Sequence, residues 1–244
     1  MEQIWVYLAA SPLFGLTATL VAYSLGHWLY VRCGSTPLLH PVLTAVALLI
    51  LLLKLGDISY NSYFDGAQFV HFLLGPATVA LAVPLYLQLE RLRKLWLPIL
   101  ISLIFGVLLG ALSALGIARW LGAGLETQLS LAPKSVTTPV AMGIAEAIGG
   151  LPSLTAVLVV TTGIIGAVLG NGLFRLLRIR DDSVKGVAMG VAAHGIGTAR
   201  AFQLSQQMGA FSGLAMALSA LASALILPGL IDLLYAFLVP ASPG

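Results

Sequence analysis

Charge is nearly absent over long runs of this chain, and that absence restricts its fold more than any motif does. Apolar stretches occupy about 4–30, 68–90, 95–117, 152–174, 186–206 and 212–238. Each is long enough to cross a hydrocarbon core of roughly 30 Å as a helix. Only 9% of the 244 residues are charged and 59% are hydrophobic, whereas a soluble domain carries about 25% charge. Nine acids and twelve bases cannot cover a globule of this size in water, so the solvent for most of its surface must be lipid. Two further apolar stretches are marginal: 38–55, with Pro41 near its start, and 136–150, with Pro139 near its start. The second, about 22 Å long as a helix, is too short to cross alone.

The bases set an orientation. Arg91, Arg93 and Lys94 follow one apolar stretch, and Arg175, Arg178, Arg180 and Lys185 form a second cluster. The positive-inside rule puts both clusters, with Arg32, in the cytoplasm. The loop at 118–134 then lies outside, with Lys54, Arg119 and Lys134. The segment 136–150 must re-enter rather than span, or the cluster at Arg175 would face outward. This count places the N-terminus outside and the C-terminus in the cytoplasm, and leaves Arg200 within the membrane. The net charge of +3 does not point to nucleic acid, because the bases sit at the ends of apolar stretches rather than on one polar face. Cys33 is the lone cysteine and forms no intramolecular disulfide. No basic residue precedes the first apolar stretch, Ile4–Tyr30, so it reads as a retained membrane helix rather than a secretory signal.

Three stretches carry chemistry. In QFVHFLLGPATVALAVPLYLQLE at 68–90, Gly75-Pro76 breaks a helix and Pro84 can kink it again. The plainer alternative is a packing kink. In SLAPKSVTTPVAMGIAEAIGG at 130–150, Pro139 suits the first turn of a short helix capped by Thr137 or Thr138. A helix starting at membrane depth turns its positive end and free N–H groups inward, where an anion can bind. Glu146, two turns on, is an intramembrane carboxylate that could carry a proton or pair with Arg200; alternatively it lies near a surface. In AAHGIGTARAF at 192–202, Gly195 and Gly197 weaken the helix. Unwinding there lets His194, Thr198 and Arg200 converge. Arg200 suits a planar carboxylate, and His194 titrates near neutral pH. The alternatives are an Arg200 that reaches the outer surface and a His194 that is packed and hydrogen-bonded. No zinc spacing, GxSxG or phosphate loop is present. No nucleophile accompanies His194 and Glu146, so neither enzymatic activity nor a cofactor is expected.

Two short echoes suggest an inverted repeat. HPVLTA at 40–45 resembles TPVAMG at 138–143, and GPATVA at 75–80 resembles GIGTAR at 195–200, with Thr78 opposite Thr198. In each pair the two copies run in opposite directions across the membrane, the pattern of carriers that bind substrate at broken helices near the midplane. The expected fold is all-α, with about seven transmembrane helices plus a re-entrant or broken helix in a transporter-like inverted repeat. Its parts are an N-terminal helix at 1–34, a first repeat at 35–120 broken at 75–77, and a second at 121–244 with a re-entrant segment at 135–150 and a broken helix at 192–200.

GPATVALAVPLY at 75–86, SVTTPVAMGIAEAIGG at 135–150 and AAHGIGTARAF at 192–202, with TTGIIGAVLG at 161–170 between them, resemble the signature stretches of the LrgB/CidB family in matching order. The resemblance covers about 38–230. It implies a bacterial inner-membrane protein of antiholin-like type, modulating murein hydrolase activity with a small LrgA/CidA-type membrane partner. Plastid relatives are glycolate/glycerate translocators, and some bacterial members are implicated in pyruvate uptake. Read with the residues above, it suggests a homodimeric, proton-coupled carrier of small monocarboxylates. Arg200 would hold the carboxylate, Thr78, Thr137, Thr138 and Thr198 would bond its other oxygens, and His194 or Glu146 would carry the proton.

Overall fold

The computed structural model describes residues 12–34, 39, 41–73, 76, 79–80 and 82–238, and these are helical almost throughout. They fall in two compact units, Met1–Ala80 and Leu81–Gly244. In the first, α1 (Pro12–Arg32) packs on α2 (Pro41–Leu55) and α3 (Tyr60–Phe72). Glycines allow the approach: a Cβ at Gly15 would sit 2.1 Å from the Tyr63 carbonyl oxygen, and one at Gly26 would sit 2.3 Å from Thr44 Oγ1. Thr19 Oγ1 lies 2.7 Å from the Tyr63 hydroxyl and closes the α1–α3 contact with a hydrogen bond.

The second unit runs α4 (Ala82–Tyr86), α5 (Leu89–Trp120), α6 (Leu125–Leu131), α7 (Thr138–Ala147), α8 (Pro152–Leu176), α9 (Asp182–Leu204) and α10 (Gln206–Leu238). Three described helices are long and apolar enough to cross a membrane: Leu89–Trp120, Pro152–Leu176 and Gln206–Leu234. Large apolar side chains such as Phe105, Leu109, Leu169 and Leu225 stand exposed on them. That arrangement is unfavourable in water and expected against lipid.

Two expected spans take a different form. The stretch 68–90 is not one helix: α3 ends at Phe72, α4 begins at Ala82, and Leu89 already belongs to α5. Pro84, in α4, carries no N–H for a continuing ladder. Gly75 and Thr78 lie outside the described residues, and Pro76 is exposed. The stretch 186–206 is long enough to span but doubles back on itself. At His194 the backbone leaves helical geometry (φ 40°, ψ −135°). Beyond it the chain returns alongside its own first half, so that a Cβ on Gly197 would lie 3.0 Å from the Met189 carbonyl oxygen. Residues eight apart in a continuous helix are separated by about 12 Å along the axis. At the base, Ser205 bonds the Asp182 carboxylate and Gln207 Nε2 donates to Ser183 Oγ at 2.9 Å.

The segment between α6 and α8 makes a similar excursion. Leu151 N donates to Ser130 Oγ at 2.8 Å, and Thr155 Oγ1 donates to the Ser130 carbonyl at 3.0 Å. The chain therefore leaves Ser130 and returns to it. The return arm is α7, with 10 residues and a length of about 15 Å. This first hairpin has its base at the start of α8, and the α9 hairpin has its base just past the end of α8. The two open toward opposite ends of that helix.

Close approach holds the second hairpin in place. Cβ atoms at Gly166 and Gly170 would meet Ala193 Cβ at 2.4 Å and Met189 Sδ at 2.6 Å, fixing α8 against the entering arm. Gly186 and Gly190 let that arm lie on α10, where a Cβ at Gly190 would sit 2.2 Å from the Ser212 carbonyl oxygen. Asp181 caps α9, accepting from the Ser183 and Val184 backbone N–H groups at 2.7 and 3.3 Å. Burial alone would raise its pKa, but those two bonds and the nearby Arg91 charge hold it below the ordinary aspartate value.

Gly190→Val should lower the melting temperature in detergent sharply, because its nearest obstacle is backbone; overpacking of this kind costs about 1–3 kcal/mol. Gly172→Ala, with nothing within 4 Å of the added methyl, should instead leave stability unchanged or raise it by up to about 1 kcal/mol. Asp181→Ala should cost about 1 kcal/mol, the worth of an N-cap. Since the folded pKa is depressed, that loss is full above the unfolded value of about 3.9 and shrinks as pH falls through the folded one. Melting curves across pH read the difference.

Candidate functional site

The tip of the α9 hairpin is polar and dry. His194 and Thr198 are each 4% exposed, and Ser212 of α10 is fully buried. The His194 ring reaches α8, with Nε2 2.9 Å from the Val159 carbonyl oxygen. Because that oxygen only accepts, Nε2 carries the proton in this bond. Gly163 makes the room: a Cβ there would lie 2.7 Å from His194 Cε1. Thr198 Oγ1 donates to the His194 carbonyl at 2.8 Å and lies 2.9 Å from Ser212 Oγ. A non-glycine residue at positive φ costs about 1–3 kcal/mol. The Val159 and Thr198 bonds offset that, each contributing about 1 kcal/mol. The break lies at His194, one residue before Gly195; Gly195 and Gly197 continue the returning arm as helix.

Arg200, two turns down the returning arm, is partly buried and donates from Nη1 to Gln203 Oε1 at 2.9 Å. The hairpin therefore brings His194 and Thr198 together and leaves Arg200 outside their hydrogen-bond network. Thr137 is the N-cap residue of α7, with Thr138 and Pro139 opening the helix, although no side chain closes the cap. Glu146, near the end of α7, is exposed and makes no ion pair with Arg200.

Both hairpin tips present helix N-termini. That of α7 starts at Thr138, and that of the returning arm starts just after His194. Val136 at the first tip and Val191 on the entering arm of the second belong to one buried cluster with Phe211 of α10. Beside this cluster lies a cavity of about 650 Å³, walled by α5, α8, α9 and the first tip. Most of its lining is apolar, including Leu95, Ile99, Val187 and Val191. Its polar groups are Lys134 and the hydroxyls of Ser102, Ser135, Thr162 and Ser183. Lys134 Nζ lies 3.4 Å from Ser135 Oγ, and no carboxylate pairs with it among the described residues.

Sequence reasoning placed Lys134 in an external loop and missed it. The available signal was its position: a base between Pro133 and Ser135, four residues before the Thr-Pro that opens a short helix. Gly106 and Gly110, which look like a helix-packing pair, also line this cavity; one faces Val191 and the other Ser135 Oγ.

Comparison with known proteins follows the same elements. The LrgB-like family model matches residues 19–233. The protein of Bacillus subtilis (strain 168) named uncharacterized protein YwbG is 40% identical over 192 residues, covering 79% of this chain and 85% of its own. Antiholin-like protein LrgB of Bacillus cereus (strain B4264) is 30% identical over 218 residues, covering 89% of this chain and 95% of its own. The Bacillus anthracis (strain CDC 684 / NRRL 3495) protein of the same name matches to the same extent. No solved structure matches. With most of its length, both hairpins included, aligned to the family model, this chain belongs to the LrgB-like family.

Proposed function

We propose that the protein is a multi-pass bacterial membrane protein with an antiholin-like role. It would restrain a small LrgA/CidA-type membrane partner and, through it, murein hydrolase activity. The observation that carries this reading is the end-to-end similarity to relatives named antiholin-like protein LrgB. The test is co-expression with an LrgA-type partner. The two should co-purify, and deletion of this chain should alter lysis in a way that re-expression reverses. Separate elution together with unchanged lysis would remove the reading.

A second reading rests on the geometry: a secondary carrier of small monocarboxylates such as glycolate, glycerate, lactate or pyruvate. Opposed hairpins, with helix N-termini at their tips, suit anion binding and alternating access. The cavity lined by Lys134 with Ser135 beside it, and by Ser102 and Thr162, supplies a candidate ligand site. Lys134 is the first candidate for the cation there, with Arg200, His194, Thr198 and Glu146 as further candidates for binding or proton coupling. The count of about seven spans and the inverted repeat belong to this reading. On this reading α9 returns to the side of Arg175, and α10 then leads away from the basic clusters.

Uptake of labelled glycolate and pyruvate into liposomes, with and without a pH gradient, tests the carrier. Saturable uptake should fall at least about ten-fold in Lys134→Gln, since one hydrogen bond to a charged group is worth about 1.5–3 kcal/mol. If Arg200→Gln abolishes uptake and Lys134→Gln does not, the site lies on the returning arm. No uptake from folded protein, alone or with its partner, would reject the carrier.

A further inference from the structure

The Lys134 cavity adjoins a second one on the side of the basic clusters. Two of its wall residues, Leu95 of α5 and Val184 of α9, also wall a second cavity of about 590 Å³. That second space is polar, lined by Gln88, Glu90, Arg91, Lys94 and Asp181. Leu95 and Val184 therefore stand where an apolar cavity adjoins a charged basin.

An ion pair crosses beside these two residues. Arg91 lies one helical turn before Leu95, and Asp181 lies three residues before Val184. Arg91 Nη2 donates to Asp181 Oδ2. The other carboxylate oxygen, Oδ1, caps α9 by accepting from the Ser183 and Val184 N–H groups. One carboxylate thus grips the base of the hairpin with one oxygen and α5 with the other. The neighbouring Asp182 serves the hairpin alone, bonding Lys185 at 2.8 Å and Ser205 on the returning side. The acids at this base divide the work: Asp182 ties the two arms together, and Asp181 ties the hairpin to α5.

The α5 side has a hinge. Pro98 lies inside α5 between Arg91 and Gly106, and it lines the cavity. Having no N–H, it leaves the Lys94 carbonyl without its usual backbone donor. Farther along, Gly106 packs closely on Val191, where an added Cβ would sit 2.8 Å from Cγ1. Pro98 thus weakens the α5 ladder between the ion pair at Arg91 and the close contact at Gly106.

We propose that Arg91–Asp181 is the latch, and Leu95–Val184 the neck, of a gate that controls entry to the Lys134 cavity from the side of the basic clusters. The proposal rests on reading that cavity as a working site. Both latch side chains are more than two-fifths exposed, and an exposed pair shifts an equilibrium only a few-fold. A latch of that strength favours closure without locking it.

The test reads access rather than transport or lysis, so it stands apart from the readings above. Ser135→Cys in a Cys33→Ser background puts one thiol at the far end of the chamber. Its modification rate by a charged, membrane-impermeant maleimide is measured in sealed vesicles of both orientations. Asp181→Asn, which keeps a good cap residue, and Arg91→Gln should each raise the rate about two- to five-fold from the basic-cluster side alone. The swap Arg91→Asp with Asp181→Arg should bring it back toward the starting value. Raising the salt concentration should speed modification of the parent, whose ion pair is intact, but not of Asp181→Asn. Unchanged rates in the single variants, an equal rise from both sides, or a swap that behaves like the singles would overturn the gate.

Discussion

A helix that stops inside a bilayer frees amides and carbonyls that lipid cannot satisfy, and the second unit is organised around meeting that demand. At His194 the chain reverses where water is scarce. The reversal is held because the imidazole donates to the Val159 carbonyl and the Thr198 hydroxyl covers the His194 carbonyl. At the base of the first hairpin, Ser130 takes the Leu151 amide while Thr155 takes the Ser130 carbonyl. These hydroxyls are buried because the backbone needs them there. In the middle of a long helix a serine or threonine hydroxyl only repeats a bond that the backbone already makes. At a reversal it supplies one that the backbone has lost.

Close packing gives these reversals their positions. Glycines on α8 receive the hairpin on one side, and glycines on α9 itself lay it against α10 on the other. Lipid provides little hydrophobic drive between helices, so their association depends on close van der Waals approach and on polar bonds. Both occur in the α9 hairpin. Gly186 and Gly190 bring it to the α10 backbone, and the Thr198–Ser212 pair closes the tip. The consequence is specificity of position. A methyl group at Gly163 would meet the His194 ring, so the break and its receptor site on α8 depend on each other.

Much of this was legible in the sequence, and the remainder was hidden for physical reasons. The spans at 95–117, 152–174 and 212–238 appear as α5, α8 and α10, because unbroken hydrophobicity over that length leaves a helix few alternatives. Pro139 behind a threonine correctly marks the start of a short helix, since its missing N–H costs nothing in a first turn. The stretch 186–206 misleads because hydropathy measures length and not direction: a hairpin of two half-helices has the composition of one span. Gly195 and Gly197 drew attention as the breaking residues, yet the positive φ falls on His194. There a ring bond to another helix offsets the backbone strain, and intrinsic flexibility does not decide the position. Lys134 was overlooked because the positive-inside rule counts a base near an external loop without reporting whether the side chain turns inward.

The two functional readings place different demands on the molecule. Restraint of a partner in the membrane needs a lipid-facing surface and is indifferent to what the interior holds. An interior with a lysine that pairs with no carboxylate among the described residues, and with opposed hairpin tips, is more than a scaffold for such a surface requires. A packed apolar core would be cheaper than a cavity, because unfilled volume forfeits dispersion contacts and a partly buried ammonium loses solvation. Family membership accounts for the chain's similarity to relatives named antiholin-like, but it does not explain why that cost is borne. A ligand that fills the chamber and pairs with Lys134 would remove both penalties at once, and a surface function alone would remove neither.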